Sequence, residues 1–220
     1  MTMRKFGTVV LAVSLLGFTS GSALAQSAKA TAKVGDVNVL NQTNLGWTTI
    51  LSNTIKTANQ KDLFIDVSLE TGLYTQTQVK SKGNRDSSSA EATIRVQVLV
   101  DGVPAYPGDV VFDRRSQTLS ATLGGILENC TDSNGDGDID LSDCTLAPEE
   151  IELILDTMGS HSFNFIMENL RPGEHAVEVQ AMIGTSSSSG AGSASANATI
   201  GNGSVTVEEV RLIKDEDIQL

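Results

Sequence analysis

The chain has 220 residues, 40% of them apolar and 4% aromatic, with 15 basic against 27 acidic side chains and a formal net charge of −12. So acidic a balance argues against nucleic acid and anionic membrane surfaces, both of which need a concentrated positive face. Two histidines and two cysteines leave few groups for imidazole or thiol chemistry, and no H-E-x-x-H, G-x-S-x-G or phosphate-cradling glycine loop occurs.

The N-terminus reads as an export signal over residues 1–25. Arg4 and Lys5 precede an apolar run from Val9 to Phe18, and Ala23-Leu24-Ala25 supplies a small-x-small cleavage pattern. The run is too short for a membrane span, so the expected location is periplasmic, secreted or at the cell surface. A mature chain from Gln26 keeps 13 basic against 27 acidic side chains, a net charge of −14. Residues 26–220 are expected to form a single domain.

From there the dominant hydrophobic period is two. Ala90, Ala92, Ile94, Val96, Val98 and Val100 alternate with polar partners, as a half-buried strand requires, and Asp101-Gly102 then marks a turn. Further strands are expected at 48–54, 63–69, 74–80, 109–112, 161–167, 175–183, 194–200 and 204–213. Two serine-rich stretches, 86–89 and 185–193, read as flexible or edge loops. Pro172-Gly173 suggests a hairpin between the strands at 161–167 and 175–183, flanked by His161 and His175 as ordinary strand-end side chains. Nine or so short strands joined by turns imply an antiparallel β-sandwich, Ig-like or jelly-roll.

The densest signal lies between the cysteines, where residues 130–144 read CTDSNGDGDIDLSDC. Calcium takes about 6–8 oxygen ligands, and a twelve-residue loop can wrap one ion with alternate side chains. Counted from Asp132, positions 1, 3 and 5 are Asp132, Asn134 and Asp136. Gly137 falls at position 6, where the backbone must turn sharply. Asp138 offers its carbonyl at position 7, Asp140 a carboxylate at position 9, and Asp143 closes the loop at position 12, with Ile139 as an apolar anchor. Asp143 is shorter than the usual glutamate and a poorer bidentate ligand. No Lys or Arg lies between Arg115 and Arg171, so this acidic stretch repels itself without a cation. In an oxidising compartment Cys130 and Cys144 are expected to pair.

The pattern D-x-N-G-D-G-x-I-D-x-x-D resembles the calcium loops of dockerin modules and, more loosely, EF-hand loops. The likeness covers about a dozen residues and carries over only the metal-ligand roles, because no second copy of the loop is present.

One helix is expected next, from Pro148 to a stop at Gly159. Glu149 and Glu150 suit its first turn, and Ile151, Ile154, Leu155 and Met158 form one face. The calcium loop and helix thus form an insert over about 119–159 of the sandwich. Functionally, the sequence suggests a calcium-binding, non-enzymatic module that meets a protein or glycan outside the cell. A carbohydrate-binding module with Tyr74 and Tyr106 as platforms is the alternative, and a hydrolase the weaker third reading. Arg114-Arg115 could hold an anionic group or lie over the sheet.

Overall fold

The computed structural model describes residues 29–36 and 46–213; the export signal falls outside them. Among the described residues eleven strands form: β1 (Ala30–Asp36), β2 (Thr48–Thr57), β3 (Lys61–Ser81), β4 (Arg85–Val100), β5 (Val103–Pro104), β6 (Val110–Thr122), β7 (Ile126–Glu128), β8 (Thr145–Ala147), β9 (Glu149–Leu170), β10 (Gly173–Ser189) and β11 (Ser193–Val210). Every pairing is antiparallel. One sheet has the order β1-β11-β3-β9; the other runs β2-β10-β4, with β5 and β6 along the free side of β4.

These pairings are nested. β4 pairs with β6, β3 with β9, β2 with β10 and β1 with β11, so the first half of the chain runs out and the second half returns beside it. The long hairpin is rolled so that β1, β2, β3 and β4 alternate between sheets on the way out, as β6, β9, β10 and β11 do on the return. That winding is a jelly roll rather than an immunoglobulin topology.

Period-two alternation builds the core. Ala92, Ile94, Val96, Val98 and Val100 of β4 are buried and face Ile65, Val67 and Leu69 of β3, with Val177, Val179, Ala181, Ile183, Ile200, Val205 and Val207 beside them. Each such side chain contributes on the order of 1.5–3 kcal/mol of transfer free energy. From residue 106 to 164 no side chain joins the fully buried core; Val110 and Phe112 only pack against its rim.

The expected strands form, but longer than expected. Residues 63–69 and 74–80 are one strand, β3, because Gly72 continues it. A Cβ at Gly72 would stand 2.4 Å from Thr199 Oγ1, so the absent side chain permits close approach of β11 rather than a turn. Residues 194–200 and 204–210 are likewise one strand, with a bulge between Ile200 and Gly203.

Four expectations are corrected. No α-helix forms at 148–159, and the only helical turn among the described residues is the short 3-10 turn Leu141–Asp143. Residues 149–158 satisfy both periods, and β3 decides between them by offering an open edge that Glu149–Leu170 pairs along its full length. The hairpin between 161–167 and 175–183 does not exist, since β9 pairs with β3 in one sheet and β10 with β2 and β4 in the other. The serine stretches are largely strand rather than loop: Ser186–Ser189 pair with Ser88–Glu91, and only residues 190–192 form a turn. The Asp86 carboxylate ties that end together by accepting from the amides of Lys80, Ala191 and Gly192 at 2.8–3.1 Å. Finally, β6 continues to Thr122 and β9 begins at Glu149, so the insert is confined to 123–148.

Candidate functional site

The insert is built as a clasp. β7 and β8 pair Ile126↔Ala147, Leu127↔Leu146 and Glu128↔Thr145. Just beyond this ribbon Cys130 and Cys144 are joined, with Cα atoms 4.0 Å apart, as the sequence leads one to expect. Thr145 Oγ1 donates to the Glu128 carbonyl at 2.9 Å, and the Thr131 amide to the Asp143 carbonyl at 3.3 Å. Residues 132–143 are therefore closed at their base by covalent and hydrogen-bonded links.

Within the loop Asp132, Asp136, Asp140 and Asp143 turn onto nearby amides. Asp132 accepts from Gly135 N at 2.6 Å and Gly137 N at 2.9 Å. Asn134 Oδ1 accepts from Asp136 N, and Asp136 Oδ1 from Asp138 N, both at 2.9 Å. Asp140 caps the 3-10 turn by accepting from Ser142 N at 2.8 Å, and Asp143 Oδ2 accepts from Asp140 N at 3.1 Å. Asp143 also accepts from Ser133 N and Oγ and is the one buried acid of the loop. Gly135 and Gly137 lie at φ +78° and +89°, the left-handed region that favours glycine.

These contacts stabilise the charged forms. The amides of Gly137 and Gly135 hold Asp132 below the ordinary carboxylate range. Those of Asp138 and the Asn134 side chain do so for Asp136, Ser142 for Asp140, and Ser133, with the Asp140 amide, for Asp143.

Among the described residues no three or more His, Cys, Asp or Glu side chains gather as a metal-holding group, because the loop acids face their own amides. The donor chemistry nevertheless fits a hard cation: Asp132, Asn134, Asp136, Asp140 and Asp143 ligate only through oxygen, and the bound oxygens of Asp132, Asn134 and Asp136 each keep a second lone pair. Asp140 Oδ1 and Asp143 Oδ1 each already accept from both the amide and the hydroxyl of a serine. Ile139, expected as an anchor, is exposed, as is Leu141.

Other candidates are dispersed. His161 lies 3.5 Å from Asp113 Oδ2, whereas His175 is buried in the other sheet against Asp101, so the two share no site. Tyr74 is opposite Asp156 and Tyr106 opposite Ile166 along β9. Ten strand positions, about 33 Å, separate these levels, too far for both rings to stack on one sugar. Arg114 pairs with Glu91 at 2.8 Å. Arg115 donates to the carbonyls of Leu73 and Leu155 at 2.8 and 3.1 Å, and so bridges the sheets.

Sequence reading missed this bridge. Arg115 and Gln117 project inward from β6 to meet a row of buried threonines on β3. Gln117 accepts from Thr75 at 2.7 Å and donates to Thr77 at 2.6 Å and to the Leu153 carbonyl at 2.9 Å, while Thr71 donates to Asp113 at 2.7 Å. The available signal was Thr71, Thr75 and Thr77 at even spacing, a polar stretch on a strand's buried face.

No family model matches the chain, and no curated protein matches it. Among solved structures it aligns with a structure of infectious bursal disease virus Gx strain, at 10% identity and a TM-score of 0.28, covering 83% of this chain and 37% of that one. The VP2 subviral particle of the same virus aligns at 10% identity and a TM-score of 0.15, covering 87% and 43%. The chain thus spans about two fifths of the length of the virus chains it matches. The site reading therefore rests on this chain's own residues.

Proposed function

We propose that the protein is an exported, non-enzymatic jelly-roll module for adhesion, surface assembly or matrix interaction, whose 132–143 loop binds calcium. The observation that supports this is the clasp: a disulfide and a short ribbon close twelve residues in which oxygen side chains alternate around Gly137 at positive φ. In this reading Asp132, Asn134, Asp136, Asp140 and Asp143 contribute side-chain oxygens and Asp138 its carbonyl. When bound, the ion supplies positive charge to a stretch that contains none between Arg115 and Arg171, and its role is structural.

A ligand that binds only the folded state stabilises it by about 2.7 kcal/mol at a hundredfold excess over Kd. For a chain of this size that corresponds to roughly 5–10 °C if the loop melts with the sandwich. Melting in calcium and in EDTA, at matched ionic strength, is expected to differ by several degrees, and Asp132→Ala with Asp136→Ala to remove the difference. Equal melting after verified metal removal would overturn the reading.

A further inference from the structure

We propose that the free edge of β9 is a docking site for an extended segment of another protein in which apolar residues alternate with Lys or Arg. Among the described residues β9 ends its sheet, and the backbone on its outer side is bridged only at Tyr106. Ile166 exchanges both backbone bonds with Tyr106, at 2.8 and 3.0 Å, so its N–H and C=O point away from β3. Pairing with β3 runs without a shift from Met167 back to Glu149. In an antiparallel ladder outward and inward residues alternate, so the even-numbered residues from 150 to 164 also aim their backbone groups outward, over roughly 45 Å. Such an edge is a template for strand addition.

Side chains on the two faces of β9 specify the occupant. On the inner face Ile151, Leu153 and Leu155 retain 40–43% of their surface exposed, while Arg115 and Gln117 of β6 reach the carbonyls of Leu155 and Leu153. A strand added here would cover this seam with apolar residues at every second position. On the solvent face, hydrogen bonds cross the sheet towards the edge: Ser195 donates to Gln76 and Gln76 to Glu152, while Ser193 donates to Gln78 and Gln78 to Glu150. Both rows end in a carboxylate, which can only accept; Glu150 is also paired with Lys80 of β3, so the acids left to meet an added strand are Glu152 and Asp156. Asp156 follows on the same face, and β9 contains no Lys or Arg. The next strand outward is therefore matched by cationic side chains. A second β9 edge offers no Lys or Arg to these acids in any register, and antiparallel pairing centred on Ile154 would set Glu152 against Asp156, which is disfavoured.

This inference rests on the interaction-module reading but not on calcium, so binding is measured both in calcium and in EDTA. The probes are a fluorescent synthetic peptide alternating valine and lysine, one alternating valine and glutamate, and a block peptide with lysines first and valines after. The first is expected to bind at least tenfold tighter than the other two, in either buffer. Ile154→Pro removes one outward N–H without touching the β3 ladder, and should weaken binding tenfold at unchanged melting temperature. Should that variant misfold, Glu152→Lys with Asp156→Lys reverses the charge and should transfer the preference to the glutamate peptide. Equal binding of alternating and block peptides, no binding of any, or wild-type binding by both variants would overturn the proposal. So would self-association that Ile154→Pro abolishes, because the edge would then belong to a second copy. Loss of the calcium melting shift with peptide binding intact would remove only the calcium reading.

Discussion

His175 shows how one buried side chain can set a pH dependence. Its Nδ1 lies 2.7 Å from Asp101 Oδ2 and its Nε2 2.8 Å from the Arg171 carbonyl, with Thr57 Oγ1 at 3.3 Å. Both ring nitrogens thus face acceptors, an arrangement only the doubly protonated imidazolium satisfies in full. Burial draws the pKa of His175 down, but the Asp101 carboxylate and the Arg171 carbonyl together leave it raised; Asp101 in turn is held low, chiefly by His175. A raised folded-state value means the stabilisation is complete below the unfolded histidine value, near 6.5, and fades as pH rises through the folded one. Melting temperature should therefore fall between about pH 6.5 and the upper end of the His175 titration. Asp101→Asn should flatten that slope and cost on the order of 1–3 kcal/mol at pH 6, as for a charged hydrogen bond to a buried partner. A histidine NMR titration alongside the melts checks both; a slope unchanged in Asp101→Asn would refute the assignment. The loop acids act in the opposite sense. Their folded values are depressed, so their contribution holds above the ordinary carboxylate range and is lost as pH falls through the depressed values.

At the scale of elements, strands were legible where one face met the core and the other met water. β4 could be read residue by residue because Ala92 to Val100 alternate with polar neighbours and are all buried at the even positions. β9 could not, because its first half is buried on neither face and so carries no pattern to separate strand from helix. Ser186–Ser189 escaped for a related reason: their role is backbone pairing with β4, to which composition is blind. The loop was legible as chemistry, since oxygen donors, the position-6 glycine and the flanking cysteines all lie within fifteen residues of sequence. Closing that loop by a disulfide corresponds to about 3 kcal/mol of chain entropy. Cys130→Ser with Cys144→Ser should therefore weaken calcium binding by between tenfold and about a hundredfold, measured by isothermal titration. It should also raise amide exchange in 130–144 while sparing β3 and β4. An unchanged calcium affinity would mean that the bridge does not pre-order the ligands.

For the whole molecule, the question is whether the insert supports the sandwich or is carried by it. The core draws on β2, β3, β4, β10, β11 and the C-terminal part of β9, and no residue from 123 to 148 enters it. The ends of the insert are already held in place independently of the loop. Thr122 pairs with Arg85, Glu149 pairs with Ser81, and the Leu123 carbonyl accepts from the Gly83 amide at 2.6 Å. Glu149 reaches back to the Gly125 amide at 3.0 Å, so the two strands leave the sandwich side by side. Replacing residues 126–146 with a short glycine–serine link should therefore leave the sandwich folded, with melting shifted by no more than a few degrees from that of the calcium-free parent. The calcium response should disappear altogether. By contrast, Ile94→Ala, in the centre of the core, should cost about 2–5 kcal/mol in either background. Chemical denaturation of the four proteins tests this directly: parent and deletion should show the same slope of free energy with denaturant to within the small loss of surface, and the Ile94 penalty should be additive with the deletion. A deletion that fails to fold, or an Ile94→Ala cost that depends on the insert, would show that the sandwich needs the clasp in order to fold, and not only that calcium bound in the clasp adds to its stability.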